Sequence, residues 1–274
     1  MISVNTNTGA MVALQYLNKT NSDLQTTQNQ ISSGLKVASA KDDGATYAIA
    51  QNMRGDVAGY QAVSDSLNRG VSTIDVATSA GQSISDLLNE MKGKALSAAD
   101  TSLDTASRNA LNEDFQALRD QITTIVQNAS FNGTNLVDGS VSNITALASA
   151  DGANKITVGS EDLSLGGSVV TIAASGSIDT QSAASTMVAT INSSIENVNA
   201  ALARLAAGEK KFSVQSDFVS KLVDTLNSGI GNLVDADMAK ESAKLTSLQT
   251  KQQLGTQALS IANSQPQAVL SLFR

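Results

Sequence analysis

Chemistry needs particular side chains, and this chain of 274 residues contains neither His nor Cys. A Ser-His-Asp triad, a Cys-His pair and an imidazole or thiolate metal site are therefore excluded. So is a disulfide. The carboxylates that remain form two short clusters. Asp235 and Asp237 are placed like a cation-binding pair, but the further spaced oxygen ligands and glycine of a calcium loop do not follow. Capping the helix that starts behind them is the better reading. Asp42-Asp43 sits in a polar stretch ending in Gly44, which reads as a solvated linker or as salt bridges to a neighbouring subunit. Gly229-Ile230-Gly231 has two glycines of a phosphate loop, but no strand precedes it and no third Gly or Lys follows. Glu209-Lys210-Lys211 reads as an exposed face. No cofactor, no metal and no catalytic residue is expected, so the chain is not read as an enzyme.

Charge and composition narrow the remaining classes. The net charge of −7 argues against a nucleic-acid footprint, which needs a basic face. No stretch is long enough to span a bilayer. The N-terminus lacks a basic lead, and Ala10 to Leu14 is too short for the apolar region of a cleaved signal, so these features alone predict a cytoplasmic protein. Aromatics make up 3% of the chain, there is no Trp, and Pro266 is the single proline. Ala, Ser, Thr, Asn, Gln and Leu dominate, which suits long helices packed at close range.

The elements follow from periodicity. Residues 1–33 read as a lead and one amphipathic helix, broken by Gly34. A stripe from Tyr60 through Val63, Leu67, Val71, Ile74 and Ala77 to Ala95 keeps steps of three and four, predicting a helix over about 45–100 that is roughly 60–80 Å long. Ser97 to Thr105 reads as a turn with Asp104 as N-cap. A third helix carries Leu111, Phe115, Leu118, Ile122, Ile125 and Ala129, and ends at Phe131-Asn132-Gly133, a tight-turn signal. The stretch 134–176 is predicted to be β-rich, with strands at Ile156-Thr157-Val158 and Ser168–Ile172. A fourth helical pattern from Thr180 runs through Phe212 and Phe218 to Leu233, as one kinked helix or two according to whether Gly208-Glu209-Lys210-Lys211 interrupts it.

The two ends share a further pattern. Met238, Leu245 and Leu259 are spaced by multiples of seven, with Leu248 and Ala262 offset by three. Near the start, Ala10, Leu17, Leu24 and Ile31 form one row, and Leu14 and Leu35 lie on the other. These are a/d seams of helices that pack along partner helices. Asn21, Gln28 and Gln252 dilute them with amides, each of which needs a partner once buried. The seams are therefore expected to fold fully only when something completes them.

These same ends resemble a known family. Asn232-Leu233-Val234-Asp235-Ala236-Asp237, the tail Gln253–Asn263 and Leu270–Arg274 look like the C-terminus of bacterial flagellin. Val4-Asn5-Thr6-Asn7 and Ile31–Asp43 look like its N-terminal signature. The resemblance implies a mainly α, elongated helical bundle in which N- and C-terminal helices form a coiled coil, with a small β-hairpin region in the middle. The expected division is 1–33 and 235–274 as the two halves of an inner coiled-coil domain. Residues 34–46 would be a linker, and 47–234 a helical shell with hairpins at about 134–176 and no large outer domains. The implied function is a subunit that polymerises helically into the flagellar filament used for swimming, with the polymerisation seam at Leu14, Leu17, Leu24, Ile31, Met238, Leu245, Leu248 and Leu259. The implied partners are further copies and sibling flagellins, with the export apparatus, an export chaperone, and junction and cap proteins. The implied location is the extracellular filament, reached through the flagellum's own channel without a cleaved signal. The alternative is a hook-filament junction protein or another coiled-coil adaptor that does not polymerise. In flagellins that activate the animal Toll-like receptor, an Arg and then a Glu-Leu pair precede the turn at Ser97–Thr105. Here Glu90, Gly93 and Lys94 stand at those positions, so the epitope is altered and weak recognition is implied.

Overall fold

The computed structural model describes residues Thr6 to Ser271, with side chains described as far as Ser264. Five helices carry it: α1 (Thr8–Ser33), α2 (Gly44–Ala98), α3 (Thr105–Asn128), α4 (Gln181–Val234) and α5 (Met238–Ser271). Between α3 and α4 lie two antiparallel hairpins, β1 (Ser130–Phe131) with β2 (Thr134–Asn135), and β3 (Asn143–Leu147) with β4 (Lys155–Gly159). Helix ends are set by local chemistry. The Asn7 side chain accepts from the Ala10 amide at 3.0 Å and caps α1, which stops at Gly34 in the left-handed region, φ 72°. Asp104 caps α3 by accepting from the Ser107 amide at 3.2 Å. Asp237 caps α5 by accepting from Ala239 and Lys240.

The chain divides into two compact units, one made of residues 1–55 with 225–274, the other of 56–224. The larger unit contains the main core. Leu67, Ile74, Ile84, Leu88 and Met91 of α2 are fully buried with Phe115 and Ile122 of α3 and Ile191 and Phe212 of α4. Glycines let these helices come close. A Cβ on Gly70 would lie 2.6 Å from the Phe212 ring, and one on Gly81 2.7 Å from Leu202. The first hairpin turns on Asn132 (φ 49°) and Gly133 (φ 79°), the pair of positive angles that a two-residue type I′ turn demands. In the second, Ile144 pairs with Val158 and Ala146 with Ile156.

Two expectations are corrected, and one left open is decided. Ser168–Ile172 forms no strand, although Val169, Val170 and Ile172 are buried. Its backbone bonds to α4 side chains instead of a ladder: the Thr171 amide donates to Ser194 Oγ at 3.1 Å, and Asn197 Nδ2 donates to the Val169 carbonyl. Burial alone made β-branched residues look like a strand. Phe218 lies outside the core, and the neighbouring Val219 takes the buried position. A single-residue shift of this kind follows from 3.6 residues per turn over a helix of 54 residues. Gly208 does not interrupt α4, which runs through it. Val158 packs where a side chain at that position would be.

Candidate functional site

The smaller unit holds the terminal helices α1 and α5, packed against each other. Their pairing is sparse in apolar burial and specific in polar contacts. Among the described side chains of α5 only Leu248 is buried, and of α1 only Thr27. Leu17 packs over Gly255, where an added Cβ would come within 3.2 Å of Leu17 Cδ1. Gln252 Nε2 donates to Asn21 Oδ1 at 2.8 Å, so two of the seam amides satisfy each other. Asn7 Nδ2 donates to the Ala262 carbonyl at 2.7 Å. The remaining seam residues differ in their surroundings. Leu17, Leu24, Ile31, Leu245 and Leu259 are half-buried, whereas Leu14 and Met238 are exposed.

A backbone knot ties the segment after α1 to the end of α4. Leu35 and Asp235 form an antiparallel bridge, the Ala236 amide donates to the Gly34 carbonyl at 2.9 Å, and the Lys36 and Val37 amides both donate to Val234. Asp42 and Asp43 serve the backbone here. Asp42 Oδ2 accepts from the Ala38 and Ser39 amides, and Asp43 Oδ1 from Ala45 and Thr46 at the start of α2. The Thr46 hydroxyl, then its amide, holds the Asp43 carboxyl below the usual carboxylate range. Sequence reading missed these roles. The Asp-Gly-Ala-Thr order before a helical stripe was the available signal for the Asp43 cap.

Two polar atoms of α1, Thr27 Oγ1 and Gln30 Oε1, are buried without a hydrogen-bond partner. Among the described residues, no group of three or more acidic, His or Cys side chains is placed to hold a metal ion. Nor is any helix long and apolar enough to cross a membrane.

Glu90 and Gly93 lie on the exposed side of α2, in the larger unit, and nothing lies near where a Cβ on Gly93 would project. Lys94 leaves that side and pairs with Asp114 of α3 at 2.5 Å. Arg108 is consumed within the turn between α2 and α3, donating to the carbonyls of Ala98, Asp100 and Leu103. The Ser102 amide and hydroxyl lower the pKa of Asp100 beside it.

Comparison with known proteins agrees along the whole chain. The model of the bacterial flagellin N-terminal helical region matches residues 4–142, and that of the C-terminal helical region matches 188–273. The chain is 53% identical to flagellin FljK of Caulobacter vibrioides over 99% of its own length and 98% of that protein. It is 37% identical to a flagellin of Brucella melitensis over the full length of both. Among solved structures, a flagellar hook-associated protein of Vibrio parahaemolyticus superposes with a TM-score of 0.57 at 14% identity, covering 71% of this chain and all of that one. At that identity the likeness is one of fold.

Proposed function

This chain belongs to the bacterial flagellin family, and on that premise we propose that α1 and α5 are the surfaces through which its copies assemble. The protein is a structural subunit of the flagellar filament, the extracellular helical polymer that drives swimming. One observation carries the assembly reading. The α1–α5 pair leaves a dense set of large apolar side chains in water within one chain: Met11, Val12, Leu14, Tyr16 (70% exposed), Leu254 and Ile261 (64%). Isolated exposed apolar residues are ordinary, but a concentration on two facing helices marks an interface. Neighbouring subunits would cover them, with Leu14, Leu17, Leu24, Ile31, Met238, Leu245, Leu248 and Leu259 forming the polymerisation seam. Residues 1–33 and 235–274 would then act as the inner coiled-coil layer, 34–46 as the link, and 47–234 as the surrounding shell.

The protein works by packing, with no catalytic step assigned to it. Family membership supports export through the flagellum's own channel, aided by an export chaperone, and growth between junction and cap proteins, with sibling flagellins as possible co-subunits. Negative-stain microscopy of material sheared from cells tests the function, with this chain identified in the material by mass. Micrometre-long filaments of it are expected. Short caps or monomers alone would instead indicate an adaptor.

A further inference from the structure

A helical polymer needs a heterologous contact: two different patches on one molecule, each fitting the other on the next copy. The larger unit presents two exposed patches of different character. On α4, the side opposite the buried stripe presents Lys210, Lys211, Val214 and Phe218, with Val214 59% and Phe218 56% exposed. Lys210, Lys211 and Val214, with Ile156 of β4, border a mainly apolar groove of about 500 Å³ that reaches Ala207 and Gln215, and Phe218 lies one helical turn beyond Val214. On α2, the side opposite the core presents Leu96, 62% exposed, beside Gly93, with Asp86 and Glu90 along the same exposed arc. No side-chain ion pair within the chain engages Lys210, Lys211, Asp86 or Glu90 among the described residues. Leu96, Val214 and Phe218 are the most exposed large apolar residues of this unit.

We infer that the α4 groove receives the α2 arc of a second copy, with Leu96 seated against Val214 and Phe218 and the two lysines facing the α2 carboxylates. The charges commit the pairing. One arc carries Lys210, Lys211 and, further along, Lys221, with Asp217 at its edge, and the other carries Asp86 and Glu90 with Lys92 at its edge. Like meeting like would place lysine on lysine or carboxylate on carboxylate, at a cost that rejects the symmetric dimer. Gly93 leaves bare backbone next to Leu96, a shallow seat for the Phe218 ring. The inference rests on the filament reading and names a contact within it that the terminal helices do not make.

The absence of native cysteine makes the test clean. Filaments of the double variant Leu96→Cys/Val214→Cys, oxidised after assembly, are expected to give a ladder of dimers, trimers and longer chains on a denaturing gel. Either single variant gives no ladder. Filaments of the double variant that remain monomeric on the gel overturn the contact, as do single variants that dimerise equally well. A wild-type chain that builds no filament sinks the functional reading itself, a separate result. Should the cysteines block assembly, charge variants decide. Lys210→Glu/Lys211→Glu and Asp86→Lys/Glu90→Lys are each expected to elongate roughly tenfold more slowly alone and to recover when mixed. Wild-type rates for both variants alone overturn the proposal.

Discussion

Asp43 and Asp104 show how single side chains set the ends of long helices. Both carboxyls sit below the ordinary Asp value of 3.8, first through the hydroxyls of Thr46 and Ser107 and then through the amides of the same residues. A lowered folded pKa means that the caps stabilise above the unfolded carboxylate range and lose that contribution as pH falls through the folded value. Asp104→Asn keeps an acceptor without the charge. The gap in melting temperature between wild type and Asp104→Asn is therefore expected to shrink as pH drops from about 5 to about 2. A gap independent of pH would show that the charge is not what the cap uses. At Gly70 the argument is steric. The Phe212 ring, fully buried, has no room to retreat from a Cβ at 2.6 Å. Gly70→Ala should cost about 1–2 kcal/mol net, since overpacking outweighs the gain in helix propensity. A urea midpoint that rises would refute this. The altered receptor positions are also residue-scale. Purified monomer is expected to activate Toll-like-receptor reporter cells poorly, and Glu90→Arg/Gly93→Glu/Lys94→Leu to raise the response. Loss of the Lys94–Asp114 pair does not confound that test, because both partners are more than a third exposed and such a pair is worth about 1 kcal/mol at most.

At the scale of elements, α1 and α5 form a pair that is underpacked alone. Leu248 is the one buried side chain described on α5. Leu248→Asp places an unpaired charge there, and Leu24→Asp does the same on the half-buried face of α1, each at several kcal/mol. Neither variant should form filaments, while the far-ultraviolet helical signal of residues 56–224 persists. Normal filaments from either would show the heptad assignment to be wrong. Thr27 tests the opposite case. Its hydroxyl is buried without a partner in the single chain, so Thr27→Val should raise the melting temperature of the monomer, by removing a desolvation cost of about 1–3 kcal/mol. A fall instead would reveal a hydrogen bond at that hydroxyl.

For the whole molecule, the two compact units differ in how much apolar surface they bury. The unit of residues 56–224 has a continuous core, whereas the terminal helices leave Met11, Val12, Leu14, Tyr16, Leu254 and Ile261 exposed. Limited proteolysis of monomer should therefore clip within about forty residues of each end and spare the middle, because opening costs least where few apolar contacts hold. The same protease should act far more slowly on filaments, in which docking offsets the ordering entropy. Equal rates on both forms would mean that assembly does not complete the terminal helices.

Much of this was legible in the amino-acid order. Steps of three and four along α2 and α3, the stop at Gly34, the tight turn at Asn132-Gly133 and the cap at Asp104 are local properties, set by side-chain period and by backbone angles that few residues accept; α3 itself stops earlier than that turn, at Asn128. The absence of His and Cys removed whole classes of chemistry before any fold was considered. Tertiary structure decided what depends on which surfaces meet. It made Val169–Ile172 a buried loop by giving its backbone to Ser194 and Asn197, and turned Phe218 outward while Val219 went in. It also matched Gln252 to Asn21 across 231 positions. Local order cannot carry these outcomes, because each is settled by a partner distant in sequence or by competition between neighbours for one buried place.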